Sequence, residues 1–116
     1  MWKHFKYDEF KCPCCRENKT SHKLIDLLDQ AREKAGIAFV ITSGYRCEKH
    51  NREVGGVENS AHTKGLAADI QCLNSQDRYR IVKALLEVGF RRIGIGRTFI
   101  HVDIDDSKIQ NVIWLY

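Results

Sequence analysis

Proline is almost missing from this chain of 116 residues, with Pro13 the only one, and no low-complexity tract or internal repeat is present. A proline-rich linker is thereby excluded. Long apolar runs are missing too. None approaches the roughly 20 residues that a bilayer crossing requires, and the opening MWKHFKYDEF lacks the continuous apolar stretch of a secretory signal. The expectation is a chain made and kept in the cytosol, with no membrane partner, unless something else releases it. The sequence also has no basic stripe interleaved with aromatics. Its formal net charge of +4 is scattered, which reads as a solvated mixed surface rather than a nucleic-acid footprint. No nucleic-acid partner is expected.

What is present is ordinary for a globular domain: 43% hydrophobic and 29% charged residues. The length suits one core, so a single domain over 1–116, acting as a monomer, is expected. The five cysteines, Cys12, Cys14, Cys15, Cys47 and Cys72, are an odd number and argue for free thiols over a disulfide framework. CPCC (12–15) contains the Cys-x-x-Cys spacing of half a structural zinc site. No second pair follows it, so one metal per chain is expected, and Cys47 and Cys72 read as small packing hydrophobes.

Leu24, Leu27, Leu28, Ala31 and Ala35 recur at helical spacing, with Thr20 or Ser21 to cap the start and Gly36 to end it. AFVIT (38–42) reads as a short buried strand, and 43–65 as a long loop of the kind that usually carries function. LAADI (66–70) reads as a second strand. A second helix is expected from Asn74 or Ser75 to Gly89, with Ile81, Val82, Leu85 and Leu86 inward. FRRIGI, TFIHVDI and NVIWLY follow as three strands joined by turns at Gly96-Arg97 and Asp105-Asp106-Ser107. The fold class is α+β: an antiparallel sheet with two main helices packed on one face.

Alternation along the strands places the chemistry. In FIHVDI, Ile100, Val102 and Ile104 share one face, and Phe99, His101 and Asp103 share the other. In LAADI, Asp69 lies opposite Ala68 and Ile70. With the aliphatic face on the helices, Asp69, His101 and Asp103 point to the open side, and His62 reaches there from the adjacent loop. Two histidines and one carboxylate form a three-ligand set for one hydrolytic Zn2+ and leave a fourth position for water. Such a water ionises near pH ~7 and attacks a polarised carbonyl. Gly65 suits a tight turn between loop ligand and strand ligand. On spacing alone two blander roles stay open: Asp69 capping a turn, and Asp103 pairing with an arginine.

Three stretches, SGYRCEKHN (43–51), VGGVENSAHTKGLAADI (54–70) and FIHVDID (99–105), resemble the M15 family of zinc peptidases, which includes D-alanyl-D-alanine carboxypeptidases and phage endolysins that cut peptidoglycan stem peptides. The likeness lies in Ser-Gly-Tyr-Arg, then Ser-x-His-x-x-Gly-x-Ala-x-Asp, then a closing His-Val-Asp, and FKYDEFKCPCC is similar to the family's lead-in. The resemblance implies zinc ligands at His62, Asp69 and His101. It also implies that Arg46 binds a substrate carboxylate or steadies an oxyanion, for which its planar fork is suited; the plain alternative is an ion pair with Glu48 or Glu53. Ser60 resembles a substrate-contacting position, with loop capping as its alternative.

One departure stands out. Where several relatives carry an acidic base three residues before the last histidine, this chain has Thr98, and where others carry a histidine two residues before it, this chain has Phe99. Asp103 is the local candidate, either accepting the proton or orienting the His101 imidazole, and the orienting role is preferred. In that case the base comes from elsewhere, with Glu53, Glu58 and His50 as candidates. The expected function is hydrolysis next to D-amino acids in stem peptides by a phage or prophage product released on lysis or carried in a virion. The alternatives are a catalytically silent binding module on the same fold, a host enzyme recycling imported wall peptides, and a small Cys-rich nucleic-acid module built on CPCC.

Overall fold

The computed structural model describes residues 2–116. Helix α1, His22–Ala35, buries Leu24, Ile25, Leu28 and Ala31. Ser21 caps it by accepting the Leu24 N–H, and Gly36 ends it at φ 69°. The segment expected to be loop carries a short helix, α2 (Glu48–Glu53), and a 3₁₀ turn over Ala61–Lys64. Helix α3, Ser75–Glu87, starts where the Asn74 side chain accepts the Asp77 N–H at 2.8 Å. Its buried residues are Ile81, Ala84 and Leu85, whereas Leu86 is 48% exposed. The inward stripe is therefore narrower than expected: Leu86 lies a further 100° or so round the helix from Leu85 and faces solvent.

Five strands form one sheet: β1 (Ile41–Ser43), β2 (Ala67–Gln71), β3 (Arg92–Ile95), β4 (Phe99–Asp103) and β5 (Val112–Leu115), in the order β1-β2-β4-β3-β5. β1 starts later than the AFVIT reading: Phe39 is core while Val40 is half exposed. The first four strands pair antiparallel, but β5 runs parallel to β3, so the sheet is mixed rather than antiparallel. The cause is geometric. β4 ends beside the start of β3, so a short connection to β3's free edge delivers the next strand in β3's own direction.

One core joins α1 and α3 to Ala68 and Ile70 of β2, Ile93 of β3, and Ile100 and Val102 of β4. Phe5 and Phe10 enter it from the N-terminal segment, which is held to α1 by the Lys3 and His4 backbone N–H groups donating to Asp29. The far face of the sheet is not open as the alternation suggested. Asp69, His101 and Asp103 are all buried there, 9%, 6% and 2% exposed. The residue-43–66 segment and the β5 side chains cover this face, so the two polar strand faces form the floor of a cleft.

Candidate functional site

Register aligns the site. Asp69 of β2 pairs with His101 of β4, His101 with Gly94 of β3, and Gly94 with Trp114 of β5, a single row across four strands. A Cβ on Gly94 would stand 2.7 Å from both Trp114 Cε2 and Tyr116 Cε2. Only glycine there lets the aromatics lie down toward His101, whose ring centre is 5.4 Å from that of Trp114.

His62 arrives from the 3₁₀ turn. Ser60 Oγ caps that turn by accepting the His62 N–H at 3.2 Å, and Gly65 closes it at φ 73°, pressed against the Lys19 carbonyl where no Cβ fits. His62 Nδ1 donates to the Gly44 carbonyl at 2.7 Å. A carbonyl can only accept, so Nδ1 carries a proton, and Nε2 is the atom turned toward the site, 3.3 Å from Asp69 Oδ1. His101 Nδ1 lies 3.0 Å from the same oxygen, and its Nε2 lies 2.7 Å from Asp103 Oδ2.

His62, Asp69 and His101 each present one donor atom within 4.8 Å of the others. Ligands about 2.0–2.2 Å from a tetrahedral zinc stand about 3.3–3.6 Å apart, close to the 3.3 and 3.0 Å separations here. The donor chemistry and spacing fit one such cation. The charges agree. Burial disfavours the Asp69 carboxylate, yet hydrogen bonds from His101 and His62 hold its pKa well below the ordinary range. Burial likewise works against protonated His101, and Asp103 and Asp69 on either side raise its pKa nonetheless.

Asp103 is fully engaged. Oδ2 meets His101, while Oδ1 accepts from Arg92 Nε at 2.8 Å and from the Asp105 N–H at 3.1 Å. Burial opposes its charge, and these partners overcome it and lower its pKa. Arg46 donates from Nη2 to Asp69 Oδ2 at 3.4 Å, from Nε to Ser43 and from Nη1 to Asn51. Its ionic partner is thus Asp69, and neither Glu48 nor Glu53.

The cleft over this floor encloses about 410 Å³. Arg46, Ser60, Arg92, Phe99, Lys108 and Tyr116 contribute to its walls. Among the described residues, its only carboxylates are Asp69 and Asp103. Glu53, Glu58, His50 and Thr98 do not line it, and Glu58 faces a separate hollow with Arg52 and Lys64. Sequence reasoning missed the roles of Trp114, Tyr116 and Arg92. The alternation in NVIWLY held a signal for the first two, since it puts Trp114 and Tyr116 on one face. Arg92, 4.8 Å over the Trp114 ring and bonded to Asp103, had none.

A comparison with curated proteins gives no significant match. The family profile of Peptidase M15 matches residues 3–105, a span that contains His62, Asp69 and His101. On that match, over most of its length, the chain belongs to the M15 peptidase family.

Proposed function

We propose that this chain is a zinc-dependent metallopeptidase that hydrolyses peptide bonds next to D-amino acids in peptidoglycan stem peptides, as a DD-carboxypeptidase or an endopeptidase. The observation that carries the reading is the convergence of His62 Nε2, Asp69 Oδ1 and His101 Nδ1 on the floor of a cleft. A zinc ion held there supplies Lewis acidity and lowers the pKa of water. The chain's own residues do the rest. Gly44 fixes the His62 tautomer, and Asp103 orients the His101 ring and supports its basicity. Arg46 uses three of its five N–H donors on Ser43, Asn51 and Asp69. Two remain for a substrate carboxylate or a developing oxyanion. Arg92 and Lys108 add positive charge to the walls, which suits the carboxylates of a stem peptide, while Phe99, Trp114 and Tyr116 give an apolar side against which its methyl groups pack. Ser60 holds the His62 turn and forms part of the wall the substrate meets. Access to the wall comes through lysis or delivery in a virion, by a phage or prophage product acting as a monomer.

A second reading has one observation in its favour: both cleft carboxylates are committed to other partners, so no free carboxylate stands ready as a base. A binding module on the same scaffold would look like this. Zinc content and hydrolysis of purified stem peptides, measured on wild type and His62→Ala, separate the two. The expected result is loss of one zinc equivalent in the variant together with loss of released peptide fragment or D-alanine. Zinc binding without cleavage by wild type would select the binding module, and a zinc content indifferent to His62 would remove both.

A further inference from the structure

CPCC looks like half a metal site with no second half in the sequence. The fold supplies it. We propose that Cys12, Cys15 and Cys47 form a second, structural metal site for a thiophilic tetrahedral cation of the zinc type, clipping the N-terminal segment to the loop that carries Arg46. The three thiols each place Sγ within 4.8 Å of the others, and thiolates about 2.3 Å from a tetrahedral zinc stand about 3.8 Å apart. Cys47 lies 35 residues beyond Cys12, yet its backbone N–H donates to Cys12 Sγ at 3.4 Å. The His50 N–H donates to Cys47 Sγ, also at 3.4 Å. Two of the three sulfurs are thus already oriented by N–H···S bonds, the support that metal thiolates ordinarily receive.

The CPCC backbone is built to match. Arg16 takes the left-handed conformation at φ 64°, its N–H donates to the Cys12 carbonyl at 2.9 Å, and the Cys12 N–H donates to Glu17 O at 2.8 Å. This tight knuckle turns Cys15 back toward Cys12. Packing does not account for the cluster, because Cys15 is exposed and Cys47 only half-buried while Cys12 is buried. Nor does a disulfide, which would join two of three clustered sulfurs and strand the third.

The position of the clip gives it a purpose. Tyr45 N–H donates to Phe10 O at 2.8 Å, and a Cβ on Gly44 would stand 2.5 Å from that same oxygen. The N-terminal strap therefore presses directly on the Gly44–Cys47 stretch, which holds His62 through the Gly44 carbonyl and carries Arg46. The proposal is independent of the peptidase reading, since no cleft residue is among its ligands.

The full chain, kept reduced with a phosphine, is titrated with Co2+ alone in the His62→Ala background, which silences the other site. A near-ultraviolet sulfur-to-cobalt charge-transfer band saturating at one equivalent is expected, abolished by Cys15→Ser and by Cys47→Ser. Wild type with His62 intact should hold two equivalents of zinc and fall to one in Cys15→Ser; retention of that one shows that the variant is folded. Zinc should also shield the accessible Cys15 and Cys47 thiols from an aromatic disulfide reagent. Absence of the band from the reduced chain, its survival in both serine variants, or thiol reactivity unchanged by zinc would each overturn the site.

Discussion

Both oxygens of Asp103 are taken, one by His101 and the other by Arg92 and the Asp105 N–H. On the proposed reading a carboxylate so committed serves the ring beside it, and the consequence is measurable. Asp103→Asn keeps the shape of the side chain but removes the charge that supports His101. Zinc affinity, read by competition with a chromogenic chelator, is expected to fall about 10–100-fold. An unchanged affinity with lost hydrolysis would instead make Asp103 a direct proton carrier. The orienting role preferred from sequence follows from spacing two apart on one strand, which is readable. The partners that favour it are not, because Arg92 reaches Asp103 only through the pairing of β3 with β4.

Among the elements, β5 shows where pattern reading stops. Periodicity located α1 and α3 within a few residues, since a buried stripe three and four apart writes itself into the sequence. Strand alternation put Asp69, His101 and Asp103 on one face for the same reason. The direction of β5 is set by which edge of the sheet remains free, and no local pattern records that. Its aromatics meet the site only because Gly94 leaves room. Gly94→Ala places a methyl group 2.7 Å from Trp114 and Tyr116, so urea unfolding should show a loss of about 1–3 kcal/mol, the usual range for overpacking. Wild-type stability in that variant would mean that β5 yields freely and does not wall the cleft.

For the whole molecule, charge sets a window of pH. In the metal-free protein the lowered pKa values of Asp69 and Asp103 contribute stability present above their ordinary value of ~4, lost as pH falls through the depressed folded values. The raised pKa of His101 contributes stability that is complete below ~6.5 and lost as pH rises through its folded value. Metal-free protein should therefore be most stable between about pH 4 and 6.5, by thermal unfolding across pH, and saturating zinc should lift the neutral and alkaline side. A metal-free profile flat through neutrality would contradict the His101 ion pairs. The meeting of Cys12 with Cys47 likewise belongs to this scale: 35 residues separate them, and only the folded chain brings the thiols together. The four-strand row of Asp69, His101, Gly94 and Trp114 has one more consequence. Side chains alternate faces, so sliding β4 by a single residue against β2 would send His101 into the oily layer beneath and bring Ile100 or Val102 up in its place. With the proposed cation bound, the site would act as a gauge of strand alignment: a chain that had zipped out of step would have nothing to hold the ion with, and the ion would reward only the chain that had zipped true.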